Sequence, residues 1–427
     1  MTLTEALSEL AIETPGLPDA TERAALKMTL DSLACALAGW SAPGMREVVE
    51  QMRAWGGAGE APLLIHGDRL PAPNAAFANS AMIHALDCDD VHPPGTLHIM
   101  SVVLPAALAA GEMADATGRD VLAAVAIGVE VAARPAIWAK EQPIRGAAGA
   151  LLPTSMHGGF GAVAAAARLL GLSVEQTVNA MGINYGQAAG NRQALHDCTL
   201  TKRIQPGFAA RSALWATALA ARGITGPERA MEGPGGLFRT YYECETPTVE
   251  ELMVARPRWE IERDAIKRHP SCGACHPVLH AAERLREREQ LAPEQIERVE
   301  IFGHRPDGLV TKPFEIGDDP QVSAQFNVQY CVAYALLRGA HDLGDWTDEG
   351  VLADEEVADL ARSITFVDTP DDVPEAREWP DFAPGQSTWR GPIVYTTDGR
   401  RLIEYECPAR IYAPDAVSYT HLRAHET

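Results

Sequence analysis

The chain has 427 residues, with 58 acidic against 36 basic side chains and a formal net charge of −22. That balance excludes a nucleic-acid partner, which would need Lys and Arg to neutralise phosphates, and it repels small anions unless a local cationic pocket overrides the field. Hydrophobic residues at 46% and charged residues at 22% are those of a soluble globular protein, and the length favours two domains.

At the N-terminus, MTLTEALSELAIETPG has neither a basic head nor a long apolar run. No uninterrupted apolar stretch further on reaches the roughly 20 residues that cross a membrane. The expectation is a cytoplasmic protein with no membrane partner. Residues 1–262 read as an all-helical domain. Ala20 to Trp40 places Leu26, Leu30, Leu33 and Leu37 on one apolar face, after an Asp19-Ala20-Thr21 start of capping type. Val102 to Ala114, Val121 to Ala133, Gly158 to Leu170, Val174 to Met181 and Gly207 to Ala221 repeat the helical period. Helices this apolar predict a largely buried bundle.

Residues 263–416 read as a smaller α+β domain. Arg298 to Phe302 (RVEIF) and Ile364 to Val367 (ITFV) alternate as strands. Ile393 to Glu406 reads as a hairpin turned at Asp398-Gly399. Two amphipathic helices are predicted at about His276 to Arg288 and Gln321 to Arg338, and Asp368 to Ser387 as a Pro- and acid-rich loop. The last eleven residues, 417–427 (VSYTHLRAHET), continue no earlier pattern. They read as a non-native tail, with the natural C-terminal helical segment missing.

Three stretches carry chemistry. The first, Asn79 to Pro105, packs His84, Asp87, Asp89, Asp90, His92 and His98 into 15 residues around Pro93-Pro94-Gly95, which forbids a continuous helix. Acids and imidazoles on such a turn supply proton transfer, cap helices, or ligate a metal. The second, Leu200 to Leu237, sets Lys202-Arg203 before Pro206-Gly207, read as the opening of an apolar helix. Cations there oppose the helix dipole, and the arrangement makes sense if an anion sits among them and the helix amides; a solvated basic pair is the plainer alternative. The third, Lys267 to His276 (KRHPSCGACH), is again cationic and precedes a helix. Its Cys-x-x-Cys-His has the spacing of a haem attachment site, and Cys272 with Cys275 also fits a redox pair or half a zinc site. The other six of the eight cysteines are scattered, so no second ligand pair completes a metal centre.

In order along the chain these stretches resemble the MmgE/PrpD family, which includes 2-methylcitrate dehydratase, cis-aconitate decarboxylase and iminodisuccinate epimerase. The resemblance is carried by Asn79, His84 to Asp90, His98, Leu104 to Leu108, Gly161 with Leu169 to Leu172, and Lys202 with Pro206-Gly207. It continues through Gly223 to Pro227, Glu232-Gly233 with Gly236, Lys267 with Pro270-Ser271-Cys272 and His276, Lys312-Pro313-Phe314, and Ala324-Gln325-Phe326. It implies a large all-helical domain plus a smaller α+β domain, with the site between them. It also implies a homodimer, no metal and no organic cofactor, and makes Cys275 a chance completion of the haem pattern.

By that resemblance His98, Asp87, Lys202 and Lys267 are the catalytic candidates, with Arg203, His84, Asp90 and His276 as substrate-binding candidates. His98 is the expected general acid/base, Asp87 its orienter or a second proton-transfer group, and the lysines stabilise a carbanion beside a carboxylate. The implied substrate is a small anionic di- or tricarboxylate. Dehydration of a 2-methylcitrate-like molecule is the first expectation, and epimerisation of iminodisuccinate or decarboxylation of cis-aconitate are alternatives. A non-catalytic carboxylate binder is a further one. The sequence departs from the family pattern at Leu152, where decarboxylase-like members carry a second His, at Val91, and at Ile99-Met100. His157 is a possible substitute for the missing imidazole.

Overall fold

Helix-forming, Ala-rich segments interrupted by Gly and Pro build seventeen α-helices among the described residues of the computed structural model, which are 1–143, 145–304, 310–339, 343–373 and 388–406. Most of the acidic loop, Cys407 and the tail lie outside these residues. The fold is mainly α: one helical unit spans Met1–Gln193 and Thr201–Ile266, and a second unit takes Ala194–Leu200 and the chain from Lys267 onward.

The helical unit contains α1 (Leu3–Glu13), α2 (Asp19–Gly39), α3 (Met45–Trp55), α4 (Ala72–His84), α5 (Met100–Ala114), α6 (Gly118–Glu141), α7 (Pro153–Leu169) and α8 (Val174–Tyr185). Next come α9 (Gln193–His196), which straddles the boundary, then α10 (Thr201–Ala221), α11 (Leu237–Tyr241) and α12 (Val249–Leu252). A two-residue ribbon, β1 (Ala61–Pro62) against β2 (Arg69–Leu70), is its only sheet among the described residues. Close helix approach explains the glycines: a Cβ on Gly161 of α7 would fall 2.3 Å from the Gly128 carbonyl oxygen of α6. By length and composition α6 is apolar enough to cross a membrane, yet 78% of that window is buried inside the unit, and it carries the buried Glu130–Arg134 ion pair.

Two local expectations are corrected here. Leu26, Leu30, Leu33 and Leu37 of α2 are 58%, 53%, 36% and 57% exposed, while Ala25, Ser32, Cys35, Ala36 and Gly39 face inward. The small side chains win the inner face because α2 lies almost on the α4 backbone, with an ideal Cβ on Gly39 only 2.3 Å from the Met82 carbonyl oxygen. Thr21 does not cap α2; it is buried and donates to Glu262 Oε1 at 2.6 Å.

The second unit is α+β. Its sheet runs β4 (Thr365–Asp368), β3 (Ile296–His304), β5 (Thr388–Thr396), β6 (Arg401–Ile403), with β4 parallel to β3 and the other pairs antiparallel. Gly399, at φ +86°, turns the β5–β6 hairpin. Val299, Ile301 and Val394 point into a core with α13 (His276–Glu289), α15 (Val328–Leu337) and α17 (Glu355–Ser363); α14 (Pro320–Gln325) and α16 (Asp348–Ala353) complete the helices. The helix expected over Gln321 to Arg338 is broken into α14 and α15, because Asn327 adopts an extended backbone and caps α15 through its side chain.

Candidate active site

The site begins where α4 stops. His84 closes that helix, and the chain turns through Asp87, whose φ of +53° is a left-handed conformation tolerated by Asp better than by most residues. Strain of this kind concentrates at functional turns. The turn points Asp87 toward α10, where Lys202 forms a buried ion pair with Asp87 Oδ1; the two side chains are 6% and 3% exposed. Lys202 is in the first turn of α10, which starts at Thr201 and holds Pro206 inside it. The expected Pro206-Gly207 opening is therefore five residues late. The anion beside the Lys202 ammonium in this structure is the chain's own Asp87.

Asp89 is the hub of the imidazoles. Its Oδ2 lies 2.7 Å from His84 Nδ1 and 3.7 Å from His98 Nδ1, and the two rings meet edge-on at 4.9 Å. Burial works against ionising Asp89, but His84, His98 and Lys202 outweigh it and hold its pKa down to about 2. Burial is the largest influence on His84 and lowers its pKa, against the opposing pull of the Asp89 carboxylate that its Nδ1 faces. Asp89 Oδ1 is buried and has no hydrogen-bond partner among the described residues. The donor atoms of His84, Asp87, Asp89 and His98 all lie within 4.8 Å of one another. The Lys202 ammonium brings positive charge to that acidic group.

His98 is the least buried member, at 18% side-chain exposure. Its Nδ1 sits 2.6 Å from the Asp90 carbonyl oxygen, its amide donates to Thr154 Oγ1 at 3.0 Å, and its carbonyl accepts from Ser101 Oγ at 2.9 Å. A ring that donates Nδ1–H to a carbonyl carries its lone pair on Nε2, the tautomer a general base requires. The Asp90 carboxylate accepts from the Ile99 and Met100 amides at 2.9 and 3.1 Å, so its oxygens hold the start of α5 and it is better described as an anchor than as a substrate ligand. Cys88, between Asp87 and Asp89, is buried with its Sγ 3.7 Å from that of Cys35 on α2.

Other candidates have separate places. Arg203 is buried and donates to the Pro43 carbonyl at 2.8 Å. His92 accepts from the Gly95 amide and reaches Glu260 at 3.0 Å, and burial lowers its pKa, which makes it part of the scaffold. His157 lies 2.6 Å from the Tyr242 hydroxyl, and burial alone pushes its pKa down to about 3. Leu152 is buried at the start of α7, two residues before the Thr154 that holds His98. In the second unit Lys267 and His276 are both buried, and His276 Nε2 is 3.2 Å from the Ser271 carbonyl oxygen. Cys275 is packed in the apolar core of that unit, a poor position for the second thiol of a haem or redox pair.

Sequence reasoning grouped Asp89 with the other acids of the turn without singling it out, and it gave no role to Thr154, which is 56 residues from His98 and leaves no local signal.

Comparison with known proteins matches most of the chain to one family. Residues 3–250 match the MmgE/PrpD N-terminal domain and residues 269–416 the MmgE/PrpD C-terminal domain. The chain is 30% identical over 382 residues to cis-aconitate decarboxylase of Aspergillus terreus (strain NIH 2624 / FGSC A1156), covering 83% of this chain and 75% of that protein. It is 28% identical over 378 residues to cis-aconitate decarboxylase of Mus musculus, covering 84% and 74% of the two chains. The enzyme of the same name from Homo sapiens is 29% identical over 320 residues, covering 72% and 63%. With both domains matched in order, the chain belongs to the MmgE/PrpD family.

Proposed function

We propose that the chain is a lyase that moves a proton at a carbon next to a carboxylate of a small tricarboxylate, using its own side chains and no metal or organic cofactor. The observation that carries the proposal is the buried Lys202–Asp87 pair beside the His84–Asp89–His98 chain on one helix-to-helix turn. A carbanion next to a carboxylate is costly, and a fixed ammonium in a water-poor site is worth more to it than one in bulk solvent. Lys202 has that role; Lys267 is the second lysine assigned to carboxylate binding. His98, held at Nδ1, takes or gives the proton through Nε2.

Loss of carbon dioxide from a cis-aconitate-like substrate is the reaction we favour, because the similar enzymes carry that name. The C–C bond electrons stay on the substrate carbon, which is then protonated. Dehydration is the second reading. It is favoured by the buried Asp89 Oδ1, an acceptor suited to a substrate hydroxyl, and by Leu152 standing where a second imidazole is expected in decarboxylase-like members. A second copy of the chain is the proposed partner, with the exposed α2 leucines as its contact.

The test is a panel of citrate, 2-methylcitrate, cis-aconitate and iminodisuccinate, followed by NMR and mass spectrometry, with and without a chelator. Conversion should survive chelation, and His98→Ala should lower the rate by about 10²–10⁴-fold. A His98→Ala protein as fast as wild type refutes the assignment.

A further inference from the structure

Two imidazoles and two carboxylates gather between the end of α4 and the start of α5. His84, Asp87, Asp89 and His98 each offer one ligand atom, and these atoms lie within 4.8 Å of one another. Clustered acids alone do not make a cation site, but two observations set this group apart. Asp89 is buried and turns Oδ2 toward both rings, at 2.7 and 3.7 Å, while its Oδ1 has no hydrogen-bond partner among the described residues. Leaving a buried acceptor unsatisfied costs stability, and a cation bound there removes that cost. The charges point the same way. Asp87 and Asp89 are two carboxylates, and the ammonium beside them, Lys202, pairs with Asp87. A dication balances both carboxylates where one ammonium balances one.

The donor set selects the ion. Imidazole with carboxylate suits Zn²⁺ and its transition-metal neighbours, whereas Mg²⁺ and Ca²⁺ prefer oxygen throughout. A tetrahedral Zn²⁺ with bonds of about 2.0–2.1 Å needs its ligand atoms about 3.4 Å apart, so a group within 4.8 Å must contract by at most about 1.4 Å. Side-chain rotation supplies a change of that size. Binding also strips each ligand atom of what it holds now: the Lys202 ammonium withdraws from Asp87, and any proton on a ligating nitrogen leaves to solvent.

We propose that His84, Asp87, Asp89 and His98 form an inhibitory site for a transition-metal dication such as Zn²⁺, which enters at the expense of the Lys202–Asp87 pair. The binding stands on the geometry of the four side chains. The inhibition rests on the roles given above to His98 and Lys202: the ion takes the lone pair of the base and displaces the ammonium that steadies the carbanion.

The experiment titrates the full chain, stripped with a chelator, with Co²⁺, whose visible absorption reports four-coordinate binding. One equivalent should produce the band, and Zn²⁺ should bleach it. Asp89→Asn and His84→Gln should each weaken binding by at least about 100-fold, beyond the 10- to 100-fold typical of residues that only support a ligand. Lys202→Met should bind at least about tenfold more tightly, because a buried ammonium competing for Asp87 is worth more than that factor. Zn²⁺ should also stop turnover of whichever panel substrate is converted, and a chelator should restore it. If the panel finds no turnover, the functional reading falls while the cobalt spectrum still decides the site. Four results overturn the proposal: no visible band, a band that survives both Asp89→Asn and His84→Gln, equal affinity in Lys202→Met and wild type, or full turnover with Zn²⁺ bound. A sulfur-to-cobalt charge-transfer band would overturn it too, by placing the ion on the Cys35 and Cys88 thiolates.

Discussion

Replacing Lys202 by Met keeps most of the side-chain volume and removes the ammonium from a pair whose members are only 6% and 3% exposed. The buried Asp87 carboxylate then loses the Lys202 ammonium, and breaking one side of such a pair typically costs about 3–5 kcal/mol. The helical unit has roughly 260 residues, and unfolding near 60 °C releases about 2.1 cal/mol/K per residue, or roughly 0.55 kcal/mol/K for the unit. The melting temperature should therefore fall by about 5–9 °C. Adding Asp87→Asn removes the stranded charge and should restore at least half of the loss, a coupling of about 2 kcal/mol or more in a double-mutant cycle. Calorimetry on the four proteins measures this, and turnover of cis-aconitate is followed in parallel. Activity should be lost in Lys202→Met and remain lost in the double variant, since the restored fold still lacks its cation. A coupling below about 0.5 kcal/mol, or an active double variant, refutes both the buried pair and the role of Lys202.

Two further outcomes are expected. Burial and then the Asp89 charge raise the folded-state pKa of Asp90 to about 7, so its contribution to stability is full below about pH 4 and is lost as pH rises through about 7. The melting temperature of Asp90→Asn relative to wild type should therefore climb from pH 5 to pH 8, and parallel curves for the two proteins would count against the raised pKa. If two copies pair through the exposed face of α2 as proposed, Leu30→Glu with Leu37→Glu should lower the mass in light scattering from dimer to monomer without changing far-ultraviolet circular dichroism. An unchanged mass would count against that pairing.

The architecture was legible because its periodicities are long: α5, α6 and α7 each follow the expected segment and begin two to five residues before it, and α6 runs eight residues beyond its end. Pro105 and Pro135 are accommodated inside helices that tertiary packing holds together. The α2 leucines were misplaced because periodicity finds an apolar stripe without saying which face can approach a neighbouring backbone. Around the turn the residue types were legible and their division of labour was not. Asp89 and Asp90 are adjacent and chemically identical, yet one pairs with imidazoles and the other holds amides, a difference set by the backbone direction after the Asp87 turn. Thr154 was invisible for a simpler reason: the His98 amide that it holds is 56 residues away in the chain. Dehydration, first among the expectations, stands second in the proposal because the relatives bear the name of decarboxylases.

The Cys35 and Cys88 thiols have a consequence at the bench. A covalent sulfur–sulfur bond is about 2.05 Å long, so oxidation across the present 3.7 Å gap would haul the segment bearing Asp87 and Asp89 toward α2. A shift of about 1 Å is enough to cost roughly 100-fold in rate. The contact with Cys88 and then burial raise the Cys35 pKa, which keeps the thiolate scarce and the damage slow. Ageing in air should thus produce a gradual decline that dithiothreitol reverses, and fresh and stored samples would otherwise pass for different enzymes.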